Sequence, residues 1–213
     1  MRVDRRSHAQ PAQDDPNDSY DYIVIGAGSA GCALAARLCD APGVRVLVLE
    51  AGDRAEAHPE TAQADGYRHA FVNDELLYDR VSEPQVHCDG LRLYLGSGRG
   101  VGGSGSVNAM VYTRGDRADY AAWDVPGWRY EDLEPDFLAL EADLLPTRHP
   151  TTPLLERCIT AAGVIGMHRK DDLNDGDLSG HLGPEWMTMR DGLRRSAYTA
   201  LLRPRLRPGV VLQ

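Results

Sequence analysis

The sequence predicts an α/β protein of Rossmann-like, dinucleotide-binding type. Residues 20–52 read strand, glycine turn, helix, strand and acid in that order. Residues 96–108 form a second glycine-rich stretch that suits neither regular element. The length of 213 residues fits one domain plus part of a second, and 42% hydrophobic content can supply a core.

Residues 20–25, YDYIVI, form an apolar and aromatic run suited to a central strand. The run enters Gly26-Ala27-Gly28-Ser29-Ala30-Gly31, a G-x-G-x-x-G pattern, and an alanine- and leucine-rich helix is expected over 29–38. Gly26 permits the tight turn, Gly28 lacks the β-carbon that would hold off a diphosphate, and Gly31 lets helix and strand pack closely. Ser29 and Ala30 open the helix, whose N-terminal amides carry a partial positive charge. A second strand over 44–49 leads to Glu50, placed where a carboxylate accepts from ribose hydroxyls, and then to Ala51. An acid there disfavours a 2′-phosphate, so NADP suits the site least. The motif leaves FAD and NAD both open.

Residues 96–108 hold six glycines, three serines and Arg99 before Asn108. That composition suits main chain passing close to a ligand with its N–H groups turned inward, and the apolar run from Ala109 and Met110 argues against a flexible linker.

The chain carries 23 basic and 32 acidic side chains, a net charge of -9, which argues against a nucleic-acid partner. No apolar run reaches membrane-spanning length, and residues 1–19 read as a disordered arm rather than a secretory signal. A cytoplasmic location is the expectation. Cys32 and Cys39 lie on one helix face about 10 Å apart in rise, too far for a disulfide. They, Cys88 and Cys158 are expected as buried or half-buried thiols. No metal site is expected: the seven histidines, including His149, His168 and His181, lack ligand spacing and read as surface residues. Residues 171–177, DDLNDGD, read as a solvated acidic turn rather than a calcium loop. Ser196 has no nucleophile elbow around it.

Helices are expected over 119–123 and 133–140, separated by a turn at Pro126-Gly127, and another from Thr152-Pro153 to about residue 162. Tyr120, Trp123, Trp128, Tyr130 and Phe137 are expected to pack together.

DYIVIGAGSAGCALAARL, VLEAG, GRGVGGSGSVNAMVYTRGDRADYAAW, GWRYEDLEPDFLALE and LRRSAYTALLRPRLRPGVVLQ together resemble the glucose–methanol–choline (GMC) family of FAD-dependent oxidoreductases. The resemblance implies an FAD-binding Rossmann-like fold with incomplete elements of a second, substrate-binding domain. It selects FAD as cofactor and an alcohol, choline-like or sugar-like substrate oxidised at a hydroxyl-bearing carbon. Gly26, Gly28, Ser29, Ala30 and Gly31 would serve the pyrophosphate, and Glu50 with Ala51 the adenosine ribose. Gly102, Gly103, Ser104 and Asn108 would line the flavin's second side, with Ala109 and Met110 following towards the isoalloxazine. Ser97, Gly98 and Arg99 stand where the family has Arg-Gly-Lys, so Arg99 keeps one basic group of two. No histidine follows Gly102-Gly103, so covalent flavin attachment there is not indicated.

The implied organisation is a FAD-binding core over 20–118, a shortened helical and loop region over 119–192, and a helix and strand returning over 193–213. The family draws its base from a histidine near its C-terminal end, and no histidine here matches that motif. No catalytic residue is therefore assigned, and the base is expected from a complementary polypeptide, making a hetero-oligomer, or from a C-terminal part. A non-catalytic dinucleotide- or partner-binding protein and a self-contained enzyme remain the alternatives.

Overall fold

The computed structural model describes residues 19–213. Residues 1–18 of the expected arm lie outside the described residues. In chain order, the first elements are β1 (Tyr22–Ile25), α1 (Ser29–Cys39), β2 (Val46–Leu49), α2 (Tyr67–Ala70), β3 (Leu77–Tyr78), β4 (Ser97–Gly98) and β5 (Val111–Tyr112). There follow α3 (Arg117–Ala122), α4 (Tyr130–Leu144), β6 (Thr147–Arg148), α5 (Pro153–Val164), β7 (His168–Arg169) and β8 (His181–Leu182). Strands β9 (Trp186–Met187), β10 (Met189–Arg190) and β11 (Leu193–Arg194) lead to a π-type turn at Tyr198–Leu202 and to β12 (Val210–Leu212).

The α/β class read from the sequence holds. Strands β1, β2 and β12 form a parallel sheet with β2 in the middle. Tyr22 stands opposite Val46 and Ile25 opposite Leu49, while Val210 and Leu212 stand opposite Val46 and Val48. The last segment therefore returns to the first sheet, but through a π-type turn and a 3-10 turn rather than a regular helix. Along α1, Cys32, Ala35, Ala36 and Cys39 are buried, the spacing of one helical face. Their small side chains let the helix lie on Val24, Val46, Val48, Val210 and Leu212, with Tyr198 and Leu202 completing this core.

The opposite sheet face is different. Strand side chains alternate, so Ile23, Ile25, Leu47, Leu49 and Val211 point away from α1. Ile23 is 59% exposed and Ile25 86%, and the other edge of β1 pairs with no strand among the described residues.

A second, antiparallel sheet runs β5-β9-β6, flanked by short pairs β3-β4, β7-β8 and β10-β11. Helix α4 begins three residues before the expected position because the Asp132 carboxylate accepts the Arg129 N–H at 3.1 Å, and Pro135 is carried inside it. Arg114 Nε and Nη2 each donate to Glu141 at 2.6 Å, and the Tyr112 hydroxyl donates to the same carboxylate at 2.8 Å, tying β5 to α4. Helix α5 starts as expected, with Thr152 Oγ1 accepting the Leu155 N–H at 3.2 Å and Pro153 in the first turn.

Three expectations need correction. Cys32 and Cys39 are buried thiols, but Cys88 and Cys158 are exposed, on a loop and on the outer side of α5. His58 is buried against Asp53 and Glu60 rather than on the surface. The 171–177 turn is only partly solvated: Asn174 is buried, its carbonyl accepting the Tyr130 hydroxyl at 2.8 Å and its side chain the Arg114 N–H at 2.7 Å. The aromatic residues do pack edge to face around Tyr120, although Trp123 and Trp128 stay half exposed.

Burial pushes the Cys32 thiol up to about 12 and raises that of Cys39, so both resist ionisation. In the native protein a thiol-disulfide reagent should label two of four cysteines quickly and all four in denaturant; fast labelling of Cys32 would contradict this core. Leu202→Ala should cost about 3 kcal/mol of stability in urea unfolding, as a buried leucine does. Leu154→Ala, at a position 72% exposed, should stay within about 0.5 kcal/mol.

Candidate functional site: a dinucleotide cleft

An open cleft of about 570 Å³ lies beyond the C-terminal ends of the parallel strands. That is where open α/β sheets hold ligands. Ile25 and Leu49 at the strand ends, Gly26 and Gly28 in the first turn, Glu50 and Ala51 after β2, and Gly98 and Gly103 of the second stretch line it, with Tyr78 and Gln213. The structure thus brings the two glycine-rich stretches, 75 residues apart from Gly28 to Gly103, to one place.

Each motif glycine has a separate reason. Gly26 has φ +94°, a left-handed conformation that favours glycine. A β-carbon on Gly31 would sit inside the Gly26 carbonyl oxygen, so helix α1 can start this close to β1 only without one. Gly28 has open space on the side where its β-carbon would stand. It precedes α1 with no side-chain cap and no acid in the first turn, leaving helix N-terminal amides available.

The second stretch departs from the expectation that its glycines are there for a ligand alone. A β-carbon on Gly103 would stand 2.7 Å from Gly28 Cα, one on Gly52 2.5 Å from the Gly100 amide, and one on Gly98 would strike the Gly103 carbonyl. Gly102 N–H donates to the Ala27 carbonyl at 2.7 Å, and that carbonyl also accepts the Cys32 thiol at 3.1 Å. These glycines let one loop lie directly on the other.

Glu50 closes the assembly. Its Oε2 accepts the Ala27 N–H at 2.7 Å, and its Oε1 accepts the N–H groups of Gly52 at 3.1 Å and Gly100 at 3.2 Å. A carboxylate offers about four acceptor positions, so one is left for a ribose hydroxyl where two bonds were expected.

The remaining predicted positions surround this frame. Ser29 and Ala30 are exposed on the first turn of α1. Arg99 donates from Nη2 to the Ala51 carbonyl at 3.3 Å and lies 5.9 Å from the Tyr78 ring centre, so its charge stands beside the cleft. Ser104 Oγ accepts the Gly98 N–H at 3.0 Å and pins the loop. Asn108 and Ala109 are exposed, while Met110 is buried with φ +65°. Asn108 Oδ1 accepts the Met110 N–H at 3.1 Å and a second bond, at 2.7 Å, from Arg194.

Sequence reasoning missed Ile25, Leu49, Tyr78, Gln213 and Arg194. The strand-end positions of Ile25 and Leu49 were available as a signal, since ligands sit there. Tyr78 and Arg194 reach the site through long-range packing that no local pattern announces. No group of three or more metal-binding side chains, and no helix long and apolar enough to cross a membrane, occurs among the described residues.

A glycine turn at the end of β1, a helix N-terminus and an acid after β2 define a dinucleotide-binding unit of the Rossmann type. The GMC oxidoreductase family model matches residues 20–213, and the chain belongs to that family, corresponding to its N-terminal portion. A glucose dehydrogenase [FAD, quinone] of Drosophila melanogaster is 34% identical across 89% of this chain and 33% of its own length. A pyridoxine 4-oxidase of Microbacterium luteolum is 33% identical across 91% and 42%, and an oxygen-dependent choline dehydrogenase of Pseudomonas syringae pv. tomato 36% identical across 84% and 35%. Among solved structures, a pyridoxine 4-oxidase from Mesorbium loti superposes with a TM-score of 0.79 at 30% identity, covering 91% of this chain and 42% of that one. An FAD-dependent oxidoreductase from Chaetomium thermophilum, at 23% identity and a TM-score of 0.75 over 92% and 38%, shares the fold. The chain spans about a third to two-fifths of these relatives. The glucose dehydrogenase carries FAD in its name, in agreement with FAD over NAD as the family's cofactor.

Gly31→Ala should destabilise the protein by at least about 2 kcal/mol, since main chain must move to admit the methyl group. Gly28→Ala, with open space and a φ of -69°, should stay within about 1 kcal/mol. Equal losses in thermal unfolding would contradict this division of roles between the two glycines.

Proposed function

We propose that this chain is the FAD-binding portion of an oxidoreductase acting on the CH–OH group of an alcohol, choline-like or sugar-like substrate. The observation that carries the reading is the fused cleft, in which Gly28, the α1 N-terminus and the Gly98–Gly103 segment face one open volume. This chain's own atoms suit the group: the cradle beside Gly28 is space that a β-carbon would fill, and the helix amides there lack a side-chain cap.

In this reading Gly28, Ser29, Ala30 and Gly31 hold the pyrophosphate through main-chain amides, while Gly26, whose N–H donates to the Leu49 carbonyl at 2.7 Å, shapes the turn that presents them. Glu50 gives its remaining acceptor position to the adenosine ribose, and Ala51 leaves room for it. Arg99 adds positive charge at the cleft mouth. Gly102, Gly103, Ser104, Asn108, Ala109 and Met110 flank the flavin. Bound FAD supplies a two-electron acceptor for hydride. The chain's residues bind and orient; the proton-accepting base comes from a complementary polypeptide or C-terminal part.

Two further features support the need for that complement. The relatives, named as glucose, pyridoxine and choline enzymes, are more than twice as long as this chain, which spans 33–42% of them. Among the described residues no element covers Ile23 and Ile25 on their sheet face, and an apolar surface of this kind is one that proteins cover with another element.

Titration of the purified chain with FAD should quench flavin fluorescence and structure its visible absorption. Gly28→Val should keep the circular dichroism spectrum and weaken FAD binding by about a hundredfold or more, equivalent to blocking several diphosphate hydrogen bonds. Absence of any binding at millimolar FAD would sink the reading. Anaerobic mixing of the FAD-loaded chain with choline, glucose or pyridoxine should leave the flavin oxidised; bleaching by the chain alone would place the base within it.

A further inference from the structure

Arg194 lies on β11, with its N–H donating to the Ala62 carbonyl at 2.9 Å, and is only 2% exposed. Its Nη1 donates to Asn108 Oδ1 at 2.7 Å and to the Gly105 carbonyl at 3.2 Å. Nε and Nη2 are buried without a hydrogen-bond partner, and no carboxylate among the described residues pairs with the guanidinium. Burial pulls its pKa down to about 10, so it stays charged at neutral pH. An uncompensated buried cation is costly. Its one side-chain partner is the amide that follows the second glycine stretch.

That amide is fully defined by its bonds. Asn108 Oδ1 takes one bond from Arg194 and one from the Met110 N–H, which uses both of its lone pairs. The Asn108 NH2 has no partner among the described residues and belongs to an exposed side chain. Met110 is held at φ +65°, its carbonyl accepting the Thr188 N–H at 2.8 Å and the Thr188 hydroxyl at 3.2 Å. Backbone in this region is sparsely populated for a side chain of this size and persists where its surroundings fix it. The loop from Asn108 to Met110 is thus clamped from the β9–β11 side, and the Asn108 side chain keeps only its NH2 donor free for another partner.

We propose that Arg194 is the positioning residue for the Asn108 amide, which the FAD reading sets beside the flavin, locking its oxygen inward so that its NH2 donates to an acceptor atom of the bound flavin. This rests on the FAD reading above and assigns a role to a residue outside the cleft. Arg194 acts through Asn108 and has no direct part in the chemistry.

The test is a double-mutant cycle on FAD affinity, read by flavin fluorescence, with urea stability measured on the same proteins. Arg194→Met and Asn108→Ala should each weaken FAD binding about tenfold, and the double variant should bind no more weakly than Asn108→Ala alone. Arg194→Lys, which keeps charge and a donor, should restore part of the affinity and takes the place of the methionine variant if that fails to fold. Asn108→Asp separates the two roles. A carboxylate there pairs with the buried cation and should raise the unfolding midpoint, yet it offers the flavin no donor and should weaken FAD at least tenfold. Independent, multiplying losses in the cycle, or an aspartate variant that binds FAD as well as the parent, would overturn the proposal while leaving FAD binding itself intact. A parent chain that binds no FAD overturns both.

Discussion

Three stretches of main chain far apart in sequence meet at the carboxylate of Glu50. The turn after β1 gives the Ala27 N–H, the loop after β2 gives Gly52, and the second glycine stretch gives Gly100. Each donor is an amide that would be left unsatisfied without an acceptor, and buried amides of that kind cost free energy comparable to a lost hydrogen bond. The carboxylate can serve all three only because the loops approach more closely than β-carbons would permit. Gly52 against Gly100 and Gly103 against Gly28 are the points of contact. The acid and the glycines are therefore one device, and the cleft is the space left after the loops have closed on each other.

How much of this was legible in the sequence follows from how local each cause is. Gly26 and Gly31 were readable because the demand on them arises within six residues, from a positive φ and from a helix starting against its own strand. Thr152-Pro153 was readable because a cap and a first-turn proline act inside one turn. Position 50 was readable as an acid at a strand end, but its partners were not, since two of its three donors come from 23 and 50 residues away. The second glycine stretch was found by composition and half understood, because a glycine that admits a ligand and one that admits another loop look alike in sequence. Arg194 gave no signal at all. An arginine next to another arginine reads as a solvated pair, and only the packing of β10 and β11 puts one of the two inside.

The sheet carries the same lesson at larger scale. Alternation places Val24, Val46, Val48, Val210 and Leu212 on the α1 side and Ile23, Ile25, Leu47, Leu49 and Val211 on the other, with both sets apolar, so the strands read as buried on two faces. The structure covers one face with α1 and the Tyr198–Leu202 turn and leaves Ile23 and Ile25 in solvent. A run apolar on both sides, at an edge that pairs with no strand among the described residues, is a template for another strand or a covering helix. The strand pattern and the exposed face agree with each other, and both agree with a chain that spans about a third to two-fifths of its relatives.

Charge placement ties the cleft to the rest of the molecule. The chain as a whole is acidic, at -9, yet donor-rich and cationic groups gather around the cleft: the uncapped N-terminus of α1 at Gly28, and Arg99 beside the lining residue Tyr78. Glu50, the one acid lining the cleft, has most of its acceptor capacity spent on amides, so its charge is partly screened by hydrogen bonds before any ligand arrives. An acidic surface disfavours extended polyanions, while the helix N-terminus and Arg99 give the cleft local positive character. Arg194 lies deeper: among the described residues no carboxylate neutralises its buried charge, and the one side-chain acceptor it finds is Asn108, at the end of the second glycine stretch. A cation kept at that cost beside one particular amide is better accounted for by fixing that amide than by stabilising the fold, since an apolar side chain of similar volume would stabilise a core as well or better.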